Sequence, residues 1–149
     1  GGAPGRSPDR AGAPCGSSCS VRGKILSLKA WLALNAVRPE EGLRLAQQAQ
    51  GAVAKDDTLE KANALRLQGS AHIALRTPAA ALAPLSEALK MDKAAGASEK
   101  IYQDLLLLGQ ASADKPDVAR DYWTRARDVA LAARNRPGVE RSAKLLVVP

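Results

Sequence analysis

PEEGLRLAQQA at residues 39–49, PAAALAPLSEA at 78–88 and PDVARDYWTRA at 116–126 are three versions of one phrase. Each opens on Pro, sets a small residue three positions later, another packing residue four after that, and Ala three further on. The positions are Pro39, Gly42, Ala46, Ala49; Pro78, Ala81, Leu85, Ala88; and Pro116, Ala119, Trp123, Ala126. Steps of three and four place these residues on one helical stripe. The copies begin 39 and then 38 residues apart. Periods of roughly 20 to 50 residues mark repeat proteins, whose units bury their apolar faces only by stacking on neighbours. The stripe therefore predicts an all-α chain of stacked helical hairpins, a form better suited to binding than to catalysis.

The 149 residues fit one ordinary domain. Hydrophobic residues make up 46%, yet aromatics only 3% and Phe is absent, so the apolar material is mainly Ala, Leu and Val. Ala favours helix and lets helix axes approach closely, which suits thin, paired packing. Of the formal charge of +7, +3 falls on residues 1–24, where Arg6, Arg10, Arg22 and Lys24 face only Asp9. The remainder is mildly basic and mixed in sign: Asp117, Arg120, Asp121, Arg125, Arg127 and Asp128 alternate along one helix, as on a solvated face with local ion pairs. A nucleic-acid surface would instead gather Lys and Arg on one side, so nucleic acid is a disfavoured partner. The longest aliphatic run, Leu105 to Leu108, is far too short for a membrane span.

Residues 1–22, GGAPGRSPDRAGAPCGSSCSVR, lack apolar periodicity and read as a flexible basic arm. Cys15 and Cys19 lie in it. Their spacing suits unpaired thiols or a small disulfide loop, and with His72 as the only histidine a four-ligand zinc site within the chain is not expected. The chain begins at Gly1 and its only Met is Met91, compatible with loss of a leader from an exported protein, with a cytoplasmic one, or with a place inside something longer.

The folded domain is expected over 23–149. Helices are predicted at about 24–37, 39–55, 58–76, 78–93, 98–113 and 116–134. Pro39, Pro78 and Pro116 restart the chain at first helical positions, where the missing donor costs nothing. Glu40 and Glu41 complement the positive helix start, Asp57 or Thr58 can cap the third helix, and Gly96 ends the fourth. Pro137-Gly138 is expected to close the sixth, with 139–148 resembling the first half of a further hairpin.

On these residues the chain resembles a tandem tetratricopeptide repeat array. That family's pattern is a small residue within the first helix, then small, large and small residues in the second. Gly69, Ala81, Leu85 and Ala88 match it in the middle copy; Gly109, Ala119, Trp123 and Ala126 in the last, with two residues fewer between helices; and Ala30, Gly42, Ala46 and Ala49 in the first, with Ala in place of Gly. The period is longer than the usual 34 or so, which resembles the elongated variety found in bacterial regulators and cargo adaptors. The usual tyrosine positions carry no bulky aromatics. The resemblance implies an α-solenoid: a right-handed superhelix of about three antiparallel hairpins plus a C-terminal partial repeat, with first helices lining a concave groove that holds a protein or peptide partner.

No residue is nominated as catalytic and no cofactor or metal site is expected. Nucleophilic catalysis needs a nucleophile, a base and an orienting group, and the lone His72 reads as packed helical surface. Asp56 with Asp57, and Glu40 with Glu41, sit beside helix starts, where charge complementarity accounts for them. No Gly-x-x-x-x-Gly-Lys phosphate loop occurs. The partner-binding positions implied by the resemblance are Ser27, Trp31 and Asn35 from the first hairpin, Arg66 and Ser70 from the second, and Gln103 and Gln110 from the third. Trp31 stands out because large aromatics dominate interfaces, although packing against the second helix competes with that role. The expected function is a scaffold or adaptor module, with a docking segment of a larger bacterial regulator, or a nucleic-acid-associated repeat suggested by the pI near 9.8, as alternatives.

Overall fold

A computed structural model describes residues 17–147, with side chains from Val21 to Val147. Cys15 and most of the expected arm lie outside the described residues, as does the Cys19 side chain. The described residues form seven helices and no strand: α1 Ser17–Asn35, α2 Pro39–Ala52, α3 Thr58–Ala74, α4 Pro78–Ala95, α5 Ser98–Ala111, α6 Pro116–Ala132 and α7 Arg136–Val147. Each helix packs on the next in chain order, and α3 also meets α1 and α5. Helix α1 begins at Ser17, seven residues before the expected start at Lys24.

The turns follow a common chemistry. After α1, α3 and α6 the chain enters the left-handed region at Val37 (φ 59), Arg76 (φ 62) and Arg134 (φ 57). The same closing bonds recur: Val37 N–H to Leu34 O and Arg38 N–H to Ala33 O; Arg76 to Ile73 and Thr77 to His72; Arg134 to Leu131 and Asn135 to Ala130. This Schellman pattern satisfies carbonyls that the ending helix leaves unpaired. Gly96 (φ 65) does the same after α4, as expected of a residue without a Cβ. Val37 is the costly member, because a β-branched side chain crowds its own backbone there.

Restarts use two devices. Arg38, Thr77 and Lys115 take extended φ values of −120, −119 and −123 ahead of Pro39, Pro78 and Pro116, since the proline ring excludes helical geometry from the preceding residue. Elsewhere side chains cap: Asp57 Oδ1 accepts from Glu60 N–H at 3.1 Å and Asn135 Oδ1 from Gly138 N–H at 3.1 Å. The second cap corrects an expectation. Pro137-Gly138 does not close α6; it lies in the first turn of α7, where Pro is tolerated, and α6 already ends at Ala132.

Small residues set the helix spacing. Ala30, Ala46, Ala49, Ala81, Leu85, Ala88 and Ala126 have no exposed surface, Ala119 is buried, and Trp123 is partly buried. A Cβ at Gly69 would collide with the Leu85 side chain, one at Gly109 with the Trp123 indole, and one at Gly42 with Leu34 Cδ2 at 2.7 Å. Glycine is thus the receptor for a large residue of the second helix in both later hairpins. In the first hairpin the counterparts are Ala30 and Ala46, both buried in one cluster with Ala33, Leu45 and Leu67. The largest cluster instead joins α4 to α6 through Leu85, Leu89, Tyr102, Leu105, Leu108 and Ala126.

Candidate functional site

The first helices of successive hairpins lie side by side, leaving a groove of about 450 Å³. Trp31 of α1 stands at one end. Helix α3 supplies Asn63, Arg66, Leu67 and Ser70; α5 supplies Lys100, Gln103, Leu106, Leu107 and Gln110; α7 contributes Arg141. Leu67 and Leu106 are buried, whereas Asn63, Ser70, Gln103 and Gln110 are partly exposed. The groove therefore offers side-chain amides and a hydroxyl over an aliphatic base, groups that can both donate to and accept from a polypeptide backbone. Lys100 and Arg141 are exposed cations at its margin.

Arg66 runs along the base of this groove and is itself only 5% exposed. Its guanidinium donates through Nε to Asp104 Oδ1 of α5 at 2.7 Å and through Nη2 to Asp92 Oδ2 of α4. Nη1 adds a longer bond to Asn63 Oδ1 at 3.3 Å. One buried residue of α3 thus fastens both α4 and α5. The planar fork of arginine suits two carboxylates at once. Both aspartates have no exposed surface, and Asp92 Oδ1 and Asp104 Oδ2 have no other protein partner. Burial, reinforced by hydrogen bonding with Asp92 and opposed by Arg66, pushes the Asp104 carboxyl up to about 8. With the proton on Asp104, one negative charge faces the one positive charge of Arg66.

The expected partner-binding residues divide. Trp31, Arg66, Ser70, Gln103 and Gln110 line the same groove. Trp31 is 52% exposed and does not pack into the core against α2, correcting the competing expectation for it. Ser27 is buried, its hydroxyl oxygen without a side-chain or backbone partner, beneath a smaller adjoining hollow between α1 and α3 that it shares with Lys24, Leu28 and Trp31. Asn35 is exposed and lines none of the described grooves. Arg66 is committed to carboxylates of its own chain, so its accessible role is to position neighbours such as Asn63.

Sequence reasoning missed Asp92, Asp104, Asn63, Lys100 and Arg141. Two signals were present: Asp104 adjoins the run Leu105 to Leu108, and Asp92 lies near the end of α4, where the helix dipole disfavours an anion. Neither signal names the partner, because Arg66 is 38 residues from Asp104 and 26 from Asp92.

Ser70 has no imidazole among the other lining residues; the His72 ring has Nδ1 3.1 Å from Thr77 Oγ1 at the following turn. Among the described residues no three His, Cys, Asp or Glu side chains gather as a metal set, and no helix is long and apolar enough to cross a membrane. No family model, curated protein or solved structure matches this chain.

Proposed function

We propose that the chain is a non-catalytic protein-interaction module, a short right-handed solenoid of tetratricopeptide-like hairpins that receives a peptide or helix in the groove between its first helices. The observation that carries the reading is the convergence of Trp31, Ser70, Gln103 and Gln110 from three separate hairpins on one groove. Amides and a hydroxyl at half-buried positions suit a backbone that must keep its hydrogen bonds as it leaves water. Trp31 offers a large, rigid surface of the kind that dominates interfaces. Solenoid packing is supported by the order of helix contacts and by glycine facing a large residue in consecutive hairpins.

Selection of peptides from a displayed random library against the whole protein tests this. Selected peptides are expected to lose about tenfold or more in affinity on Trp31→Ala or on Gln103→Ala combined with Gln110→Ala, with the melting temperature unchanged. Binders indifferent to all three positions would move the site elsewhere. Retention of random duplex DNA with a steep salt dependence, in the absence of peptide binders, would favour the nucleic-acid alternative.

A further inference from the structure

Helix α1 carries apolar residues all round, as buried helices do, yet one face is bare. Val21, Ile25, Leu28 and Leu32 are 56%, 48%, 56% and 50% exposed. Steps of four, three and four put them on one stripe. At about 100° per residue, Arg22 and Lys29 fall on one side of that stripe and Lys24 on the other. All three cations are exposed, and α1 contains no carboxylate.

The repeat register shows what such a stripe does elsewhere in the molecule. Aligning Ala30 with Gly69 and Gly109 makes Leu28 the counterpart of Leu67 and Leu107, and Leu32 the counterpart of Ala71 and Ala111. Leu67 is buried against Ala30, Ala33, Leu45 and Ala46 of the preceding hairpin. Leu107 is partly buried against the cluster to which α4 of the preceding hairpin contributes Ala81, Leu85 and Leu89, and Ala111 is part of that cluster. Ile25 corresponds to Ala64, which is fully buried, and to Asp104, which is gripped from the preceding hairpin by Arg66. In α3 and α5 the counterparts of Ile25, Leu28 and Leu32 meet the preceding hairpin, while Glu60 and Lys100, the counterparts of Val21, stay partly or fully exposed; in α1 the whole stripe is open.

We infer that the outer face of α1 is a docking surface for an amphipathic helix whose aliphatic stripe is flanked by carboxylates, seated as a preceding hairpin seats on α3. The inference rests on the repeat reading, though not on the groove. Charge selects the occupant: a second α1 would set cation against cation, while Glu or Asp on both flanks would meet Arg22, Lys24 and Lys29. Residues 1–16 are no substitute, since their Gly- and Pro-rich sequence has no aliphatic stripe and a net positive charge. An anionic bilayer would satisfy the same charges, but the positions that correspond to Ile25, Leu28 and Leu32 in α3 and α5 take helices.

The test uses the whole protein and two labelled helical peptides with identical leucine stripes, one flanked by Glu and one by Lys, followed by fluorescence anisotropy. The Glu peptide should bind at least about tenfold tighter than the Lys peptide. Ile25→Gln with Leu28→Gln should weaken it at least as much, with the melting temperature unchanged because both residues are exposed. Lys24→Glu with Lys29→Glu should reverse the preference. Equal binding of the two peptides, no detectable binding, or binding insensitive to the glutamine pair would overturn the inference. So would exclusive binding to phosphatidylglycerol vesicles, or a concentration-dependent dimer, by sedimentation, that the glutamine pair abolishes. Gln103→Ala should leave this peptide's affinity intact while weakening groove ligands, so failure of one site is distinguishable from failure of the other.

Discussion

The first hairpin and the segment from α4 to α6 are built on the same sequence phrase and bury their large side chains to different extents. In α4 to α6, Leu85, Leu105 and Leu108 are inside, and Gly69 and Gly109 open the space that Leu85 and Trp123 fill. In the first hairpin the inside is mainly alanine, Ala30, Ala33, Ala46 and Ala49, with Leu45 and with Leu34 against Gly42, while Val21, Ile25, Leu28, Trp31 and Leu32 face outward. A glycine facing a leucine and an alanine facing an alanine both keep at least one side of the interface small, so both solutions let helices nest. They differ in what remains for the surface. The alanine-rich interior leaves α1's large residues at the surface, and the leucine-rich one buries its own. Helix α3 lies between the two regions, and at its boundary with the second the Arg66, Asp92 and Asp104 triad fastens it to α4 and α5, a charged group taking the place of aliphatic packing.

The largest expected effect is at that boundary. Arg66→Met leaves two buried carboxylates without their cation and should destabilise by about 3–5 kcal/mol, measured by chemical denaturation. A loss below about 1 kcal/mol would mean that the triad is hydrated and that α3 is not fastened to α4 and α5 through it. The same triad sets a pH dependence. Asp104 holds its proton in the folded chain up to about 8, whereas in the unfolded chain it releases it near the usual 3.8. The folded state binds more protons throughout that window, so stability from this group is full at its acidic end and falls as pH rises towards 8. Asp104→Asn should flatten this slope in melting temperature against pH; an unchanged slope would assign it to other groups.

Next in size, Leu85→Ala should cost about 2–5 kcal/mol through lost burial and the cavity left behind. Gly69→Ala should cost about 1–3 kcal/mol, because its methyl meets Leu85. The double variant recreates the Ala30 and Ala46 arrangement of the first hairpin and should be more stable than the two single losses add up to. Strict additivity would break the comparison, since it would mean that the glycine and the leucine do not share one space. The smallest effect is a gain: Val37→Gly should stabilise by about 1 kcal/mol by relieving a β-branched residue at φ 59.

Some of this was legible early and some was not, for identifiable reasons. The prolines at 39, 78 and 116 dictate their own helix starts through fixed ring geometry, and helices begin at all three. The end of α6 was misplaced by two residues, and Pro137-Gly138 misread as a stop, because a proline in the first turn of a helix and one just beyond an end look alike in sequence. Asn135, which caps α7, was the distinguishing residue. The size of Trp31 fits a core position as well as an interface, and only its 52% exposure beside the groove separates the two.

The sequence alone determined the helical class, the spacing of the hairpins and the small-residue stripe, because period, proline geometry and missing side-chain volume are local properties that act wherever the chain goes. Only the tertiary structure decided that Arg66 turns inward to Asp92 and Asp104, that Trp31 and the α1 stripe face out, and that residues of three hairpins meet along one groove. Those outcomes depend on which surfaces are buried by residues tens of positions away, and burial is what converts a charge into a fastening or an aliphatic row into an open face.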